Sequence, residues 1–446
     1  MADTQVTREG LRVAIGFPSA VMLVMGGMVG VGVFVNPAVV ARSLHSPQLV
    51  LAAWIVGGVV ALLGAFVYAE LAARMPQTGG EYVYLRETYG PLAGFLFGWT
   101  TLLVVQAGGM AAVAIVFAKN LAVLGLAAPQ GVVVVAVLAG LAAINCLGVK
   151  MGNGVQGWLG LLKVAAIVAL VAAGLFLVPR AAEPAPTVVA TPTLGFLKTF
   201  GAAMIPVVFS YGGWQTSNYV AGEVKEAHRN LARALVAGVI GVIGLYLLVN
   251  LACLRALGVT ALAANLTPAS DVLQKAAGPL GAKFAAGAIA LSALAFLSQS
   301  TLTGPRVTFA MARDGLFFRK VAEIADGSRV PAIAIVLQAA WTSLLALSGS
   351  YEQILSYVIA TNFLFFGLSA SCLFVLQRRG AAHAGFSAPL RPLTIGLFIL
   401  ASVLVVASSF WAYPVNSLIG YAIMAAGIPP YLIWRRRVAA VLSAEG

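Results

Sequence analysis

The sequence predicts an all-α integral membrane protein of about twelve transmembrane helices. Three observations carry this prediction. Of 446 residues, 61% are hydrophobic and 9% charged, outside the range of an ordinary soluble domain. Apolar runs of about 20 residues recur along the chain without the polar–apolar alternation of a membrane barrel, and helices are the other way to satisfy a backbone in lipid. Two of these runs, five spans apart, are interrupted by glycine near mid-span. Paired interruptions of this kind mark a transporter built from inverted repeats, with its site near the bilayer midplane.

Taken in order, the spans fall at about 13–41, 49–73, 91–123, 131–148, 155–178, 198–220, 231–257, 280–309, 331–349, 351–378, 389–407 and 415–436. The polar start MADTQVTREGLR lacks the apolar core and cleavage site of a signal peptide, so the first span is expected to stay. That span holds VMGGMVGVGVFVNP, with Gly26, Gly27, Gly30 and Gly32 close together. Gly26 and Gly30, four apart, also suit close helix packing. The sixth span holds FSYGGWQ, which puts Gly212 and Gly213 in its middle. One transporter domain over 1–446 is expected, with repeats at 13–178 and 198–378 and two added helices within 389–436.

Loop charge sets the orientation. With the N-terminus inside, 19 lysines and arginines fall in inner segments and 7 in outer ones, so both termini are expected in the cytoplasm of a cell-membrane protein. The net charge of +13 is then mostly topology, and nucleic acid is not an expected partner. Cys146, Cys253 and Cys372 lie far apart within spans, and His45, His228 and His383 lie in loops. No disulfide framework, metal spacing, cofactor or catalytic cluster is therefore expected, and the chain does not read as an enzyme.

A broken helix exposes N–H groups where its second half starts and C=O groups where its first half ends. A zwitterion can use both: a carboxylate on the amides after the first break, an ammonium on carbonyls of both breaks. No acidic residue falls near a span centre, which favours a neutral substrate. Lys163, in GWLGLLKVAAIVAL, is about eight residues into the fifth span, or roughly 12 Å from its inner end. Snorkelling is one reading. The other sets its ammonium among carbonyls of the broken first helix and hydroxyls of the eighth, either as a fixed charge or as a titrating group.

Five stretches resemble the amino acid–polyamine–organocation (APC) superfamily, and within it a prokaryotic L-type amino acid transporter. They are VGVGVFVNP, YAELAARMPQTGGEYVYLRETYGPLAGFLFGW, FSYGGWQTSNYVAGEVKEAHRNLARAL, GPRVTFAMARDG and SSFWAYPVNSLIGYAIMAAGIPPY. The resemblance covers nearly all of the chain. It implies a LeuT-like five-plus-five inverted repeat with discontinuous helices 1 and 6 and two C-terminal helices. It also implies that a substrate carboxylate meets the N–H groups of Gly30, Val31 and Gly32, and an ammonium the carbonyls of Met28, Phe209 and Gly212. Ser210, Gln215 and Asn218 would continue the second break, Phe209 would close over substrate, and Phe363 would wall the side-chain pocket with Val31, Gly108, Gly109 and Met110. Lys163 would stand in for a sodium ion, with Ser300 its expected neighbour beside Ser298 and Thr301.

Val31 departs from the small or hydroxylic residue usual between the two glycines, leaving only backbone N–H groups for the carboxylate. Gly212 stands where relatives that accept cationic amino acids can carry an acid. KNLAVLGLAAPQG has no cysteine, so no disulfide-linked heavy chain is expected. The resemblance implies exchange of small neutral L-amino acids across the bilayer by alternating access, with proton-coupled symport as the alternative. A sensor without turnover is the alternative of another class. Sensors on this fold usually carry a signalling extension, and the tails here run to about 12 and 10 residues.

Overall fold

The computed structural model describes residues 10–126, 128–182, 194–265, 267–348, 351–380 and 385–445. Arg8, Glu9 and His383 lie outside the described residues. The order of helices is α1 (Phe17–Met28), α2 (Gly32–Leu44), α3 (Pro47–Arg74), α4 (Glu81–Tyr89), α5 (Pro91–Thr100), α6 (Gln106–Val123), α7 (Gln130–Cys146), α8 (Val149–Ala172) and α9 (Leu194–Tyr211), followed by α10 (Ala227–Leu257), α11 (Val259–Ala264), α12 (Pro268–Thr303), α13 (Pro305–Arg313), α14 (Ala332–Ser348), α15 (Tyr351–Arg378), α16 (Arg391–Ala412), α17 (Pro414–Ala425) and α18 (Ile428–Glu445). π-helical turns join α5 to α6 at Thr101–Val105 and extend α8 at Ala173–Leu177, and a 3₁₀ segment covers Trp214–Glu223. Among the described residues there is no strand, only an isolated bridge between Ile15 and Val224.

Among the described residues eight helices are long and apolar enough to cross a membrane, and α1 with α2 forms a further apolar pair of that length, bent by 42°. α7 and α14 are apolar but shorter. Proline occupies the first turn of α3, α5, α12, α13 and α17, where its missing N–H would have had no partner in any case. Small residues let the helices close up. Gly238 of α10 faces Val24 of α1, Gly57 and Gly58 of α3 face Val207, Tyr211 and Ile243, and Gly64 faces Trp214. α10 packs on α3 and α1, α12 on α6 and α8, and α2 on α9, so α1, α9 and α12 surround one central space.

The structure moves some expected boundaries. The span expected at 280–309 begins at Pro268, breaks at Ala277 and Gly278, and ends in α12 at Thr303, with α13 following. The span expected at 198–220 is α-helical only to Tyr211. α4, α11 and α13 are separate helices of nine, six and nine residues, too short for a hydropathy window to resolve.

Candidate functional site

α1 ends at Met28 and α2 starts at Gly32, so residues 29–31 form an irregular link. The first amides of a helix have no carbonyl one turn back. Here Val31, Gly32 and Val33 N–H have no backbone partner among the described residues, whereas Gly30 N–H donates to the Met28 carbonyl at 2.9 Å. Of the three amides expected to meet a carboxylate, that of Gly30 is therefore engaged within the break, while those of Val31 and Gly32 are not.

The second break follows Tyr211. Gly213 adopts φ +101°, a conformation that favours glycine, and its N–H donates to Gln215 Oε1 at 3.0 Å. The chain then continues as the 3₁₀ segment, where Thr216 Oγ1 donates to the Gly213 carbonyl at 2.7 Å. The two breaks touch. A Cβ on Gly213 would lie 2.1 Å from the Gly27 carbonyl oxygen, and one on Gly27 would lie 2.5 Å from the Gly213 carbonyl oxygen. Tyr246 of α10 ties them together, its hydroxyl lying 2.9 Å from the Met28 carbonyl and 3.1 Å from that of Ser210.

Between the breaks is a cavity of about 90 Å³. Met28, Gly30, Val31, Gly32, Phe209, Ser210, Gly212, Gln215, Phe363 and Ser300 all line it, together with Gly27, Val105, Gln106, Gly109, Val113, Thr216, Phe296, Gln299, Ile359 and Asn362. Gly108 and Met110, expected in the side-chain pocket, are not in its lining; Met110 Sδ lies 2.9 Å from Gln338 Nε2 instead.

Three expected contacts change. The Met28 carbonyl already accepts from Gly30 N–H and shares the one Tyr246 hydroxyl proton with the Ser210 carbonyl, while Gly212 keeps a carbonyl with no backbone partner among the described residues. Ser210 lines the cavity, but its hydroxyl donates to the Pro206 carbonyl at 2.9 Å and accepts from Asn36 Nδ2 at 2.7 Å, which latches α9 to α2. Ser300 is not the hydroxyl beside Lys163: it lines the cavity and donates to Gln299 Oε1 at 3.4 Å.

Lys163 is 1% exposed, which excludes snorkelling in this structure. Its ammonium donates to the carbonyls of Gly26, at 3.0 Å, and Val29, at the C-terminal end of α1 where the helix dipole is negative. The hydroxyl that shares this place is that of Ser292, 3.4 Å from the Val29 carbonyl and 3.1 Å from that of Gly30. Ser292 sits about two turns before Ser300 on α12. The expectation chose the right helix and the wrong turn.

Sequence reasoning passed over Tyr246, Gln106, Gln299 and Asn362. Each is a polar group in an apolar span, and that was the available signal. It also passed over three fully buried carboxylates outside the cavity lining. Glu223 makes a two-pronged ion pair with Arg306 at 2.7 and 3.0 Å, and Glu70 pairs with Arg74 and Arg391. Glu81 opens α4 and accepts from the hydroxyls of Tyr68 and Tyr219, the latter at 3.1 Å. Burial outweighs those two donors and pushes its carboxyl up to about 7. The glycines before it, Gly79 at φ +112° and Gly80 at φ +52°, bring this turn against Asn218 and Tyr219 beyond the second break. No cluster that could hold a metal ion occurs among the described residues.

The amino acid permease family profile matches residues 15–434. Over 442 aligned residues the chain is 30% identical to the serine/threonine exchanger SteT of Bacillus subtilis, covering 97% of this chain and 99% of that one. It is 29% identical to the human large neutral amino acids transporter small subunit 2, covering 95% and 80% of the two chains. It is 28% identical to the human Asc-type amino acid transporter 1, covering 96% and 84%.

Proposed function

Because the chain belongs to the amino acid permease family of the APC superfamily, a family of transporters and not of enzymes, we propose that it carries small neutral L-amino acids by alternating access, as an exchanger. The observation that carries this reading is the meeting of the two helix breaks around one cavity. Val31 and Gly32, whose amides have no backbone partner, line it from one break and Gly212, with its unpartnered carbonyl, from the other, and among the described residues no carboxylate lines it. A carboxylate is held by the first set, with the positive end of the α2 dipole behind it. An ammonium is held by carbonyl oxygens of the second, Phe209 included. With no acid in the lining, a cationic side chain finds no partner.

Lys163 takes the place a bound cation would occupy, holding the end of α1 to α8 through Gly26 and Val29. Phe209 closes over the substrate from the outer side. The repeats at 13–178 and 198–378 rock about this site, with two accessory helices within 389–436, twelve spans in all and both termini in the cytoplasm. The absence of cysteine from KNLAVLGLAAPQG supports a carrier working in the cell membrane without a disulfide-linked heavy chain.

Counterflow in proteoliposomes tests the exchanger reading. Uptake of labelled amino acid should require unlabelled amino acid inside and ignore a proton gradient. Uptake driven by a proton gradient into empty vesicles would replace exchange with symport. Saturable binding with no flux in either format would leave a sensor.

A further inference from the structure

We propose that a second depression, which shares no lining residue with the amino acid cavity, holds the headgroup of an anionic phospholipid, with Arg180 and Arg255 donating to its phosphate. The depression has a volume of about 430 Å³ and lies between the start of α3, the end of α10 and the chain that leaves α8. Arg180 and Arg255 both line it, and among the described residues no carboxylate does. One backbone bond brings the two segments together: Ala181 N–H donates to the Arg255 carbonyl at 2.9 Å. Neither guanidinium makes a hydrogen bond or ion pair among the described residues, and Arg255 Nη1 is buried without any partner. The charged neighbours differ. Arg42 donates to the carbonyls of Ala263 and Asn265, Lys275 donates to that of Ala256, and Asp271 accepts from Asn265 Nδ2 at 2.6 Å.

Two cations in one pocket repel, and a buried guanidinium nitrogen without an acceptor is costly, so the pair calls for an anion. Loop topology does not account for it. In the proposed orientation this is the outer end, which holds only 7 of the 27 lysines and arginines. The last turn of α10 sets Arg255 beside the negative end of that helix dipole, yet this supplies no acceptor to Nη1. Snorkelling would carry Nη1 to water, and it is buried. Guanidinium forks match the spacing of phosphate oxygens, which sets the ligand chemistry. What lies beside the arginines selects a lipid. Leu51 of α3 and Leu251 of α10 form apolar wall, and exposed side chains continue from them along both helices, as Ile55 and Val59 on α3 and Leu248 on α10. Spacings of three and four residues keep each row on one helix face, and α3 packs directly on α10. A phosphate on the arginines therefore leaves its acyl chains along an apolar face that reaches into the bilayer. Basic pockets between membrane helices hold lipid headgroups by this combination.

Thermal unfolding of the purified protein in detergent, titrated with phosphatidylglycerol or phosphatidylcholine, reads the site. Phosphatidylglycerol should stabilise wild type saturably, and phosphatidylcholine far less. Arg180→Gln and Arg255→Gln should each need about fivefold more phosphatidylglycerol for the same shift, the factor carried by one basic side chain near a charged surface. Without lipid, Arg255→Gln should melt at or above the wild-type temperature, since an unpaired charge is gone, and a misfolded protein cannot mimic that. Arg180 is exposed, so Arg180→Gln decides alone if the other variant fails to fold. Equal shifts from both lipids overturn the proposal. So do variants that respond like wild type, which would place the lipid elsewhere on the protein. Inorganic phosphate at matched ionic strength should leave wild type unmoved. A shift as large as the lipid's, lost in the variants, would put a free anion on the arginines and overturn the lipid as occupant.

Discussion

Glu81 makes a quantitative pH prediction. Its carboxyl is fully buried and hydrogen-bonded by two phenols, and no basic side chain pairs with it among the described residues. Tyr84, its ring packed edge-on against that of Tyr68, and the Cys372 thiol, which donates to the Tyr84 carbonyl at 3.6 Å, are the other titratable side chains of this cluster. Folding raises the Glu81 carboxyl from its ordinary value near 4.5 to about 7, so the native state favours the protonated form. The sign follows from linkage. Between these values the native state binds more protons than the unfolded state, so stability is fully present below about pH 4.5 and is lost as pH rises to about 7. At about 1.4 kcal/mol per pH unit, the loss is about 3 kcal/mol. Glu81→Gln keeps a neutral group of the same shape, still able to accept from a tyrosine hydroxyl, and removes the titration. Thermal unfolding of both proteins in one detergent from pH 4.5 to 8 reads the difference, with every other titrating group cancelling between them. The variant should gain on wild type by about 3 kcal/mol as pH rises from 4.5 to 7 and hold a constant lead above that. A stability difference that does not change with pH would refute the reasoning, since it would place the native carboxyl at its ordinary value.

Four further variants have expected outcomes. Lys163→Ala should cut exchange roughly tenfold or more in a protein that stays folded, because the Gly26 and Val29 carbonyls lose a charged donor; near-normal flux would leave the ammonium with a packing role only. Gly213→Ala puts a Cβ 2.1 Å from the Gly27 carbonyl at φ +101° and should cost about 1–3 kcal/mol from the backbone conformation alone, before the overlap is counted. Gly30→Ala meets nothing nearer than Phe296 at 3.7 Å, so it should melt like wild type and alter only substrate KM; equal melting temperatures for both alanine variants would contradict the contact between the breaks. Gly212→Asp needs its Cβ to settle 3.2 Å from the Phe209 carbonyl and should admit cationic amino acids, with lysine or arginine competition as the readout.

What the sequence disclosed follows from what leaves a periodic trace. Apolar runs gave the helices, and paired glycines gave the places where α1 stops at Met28 and α9 stops at Tyr211. The family motifs gathered the residues of one cavity. What they did not disclose depends on which atom bonds to which. Nothing in VGVGVF says that the Gly30 amide turns back to Met28, or that Ser292 rather than Ser300 faces the end of α1, since both serines lie on one helix two turns apart. Tyr246 was invisible for another reason. A single tyrosine in an apolar span is ordinary, and only the fold shows its hydroxyl spanning 36 residues to Ser210 and 218 to Met28. The short helix that begins at Glu81 is too brief and too polar for a hydropathy pattern.

The distribution of hydrogen bonds at the breaks bears on how such a site can move. Interrupting a helix in lipid is tolerable only when the freed backbone groups find partners inside the protein. Most of them do: Lys163 serves Gly26 and Val29, Ser292 serves Val29 and Gly30, and Tyr246 serves Met28 and Ser210. These partners are side chains of α8, α12 and α10, so they fix the ends of α1 and α9 against the rest of the bundle. The amides of Val31, Gly32 and Val33 are left over. Tight packing holds the breaks together while a set of unsatisfied polar groups waits at their centre. A ligand that satisfies those groups in one arrangement of the helices better than in the other shifts the equilibrium by that difference in binding free energy and by no more. On the proposed reading the unpaired groups are those through which a substrate can bias that equilibrium, while the paired ones hold the ends of α1 and α9 to the bundle.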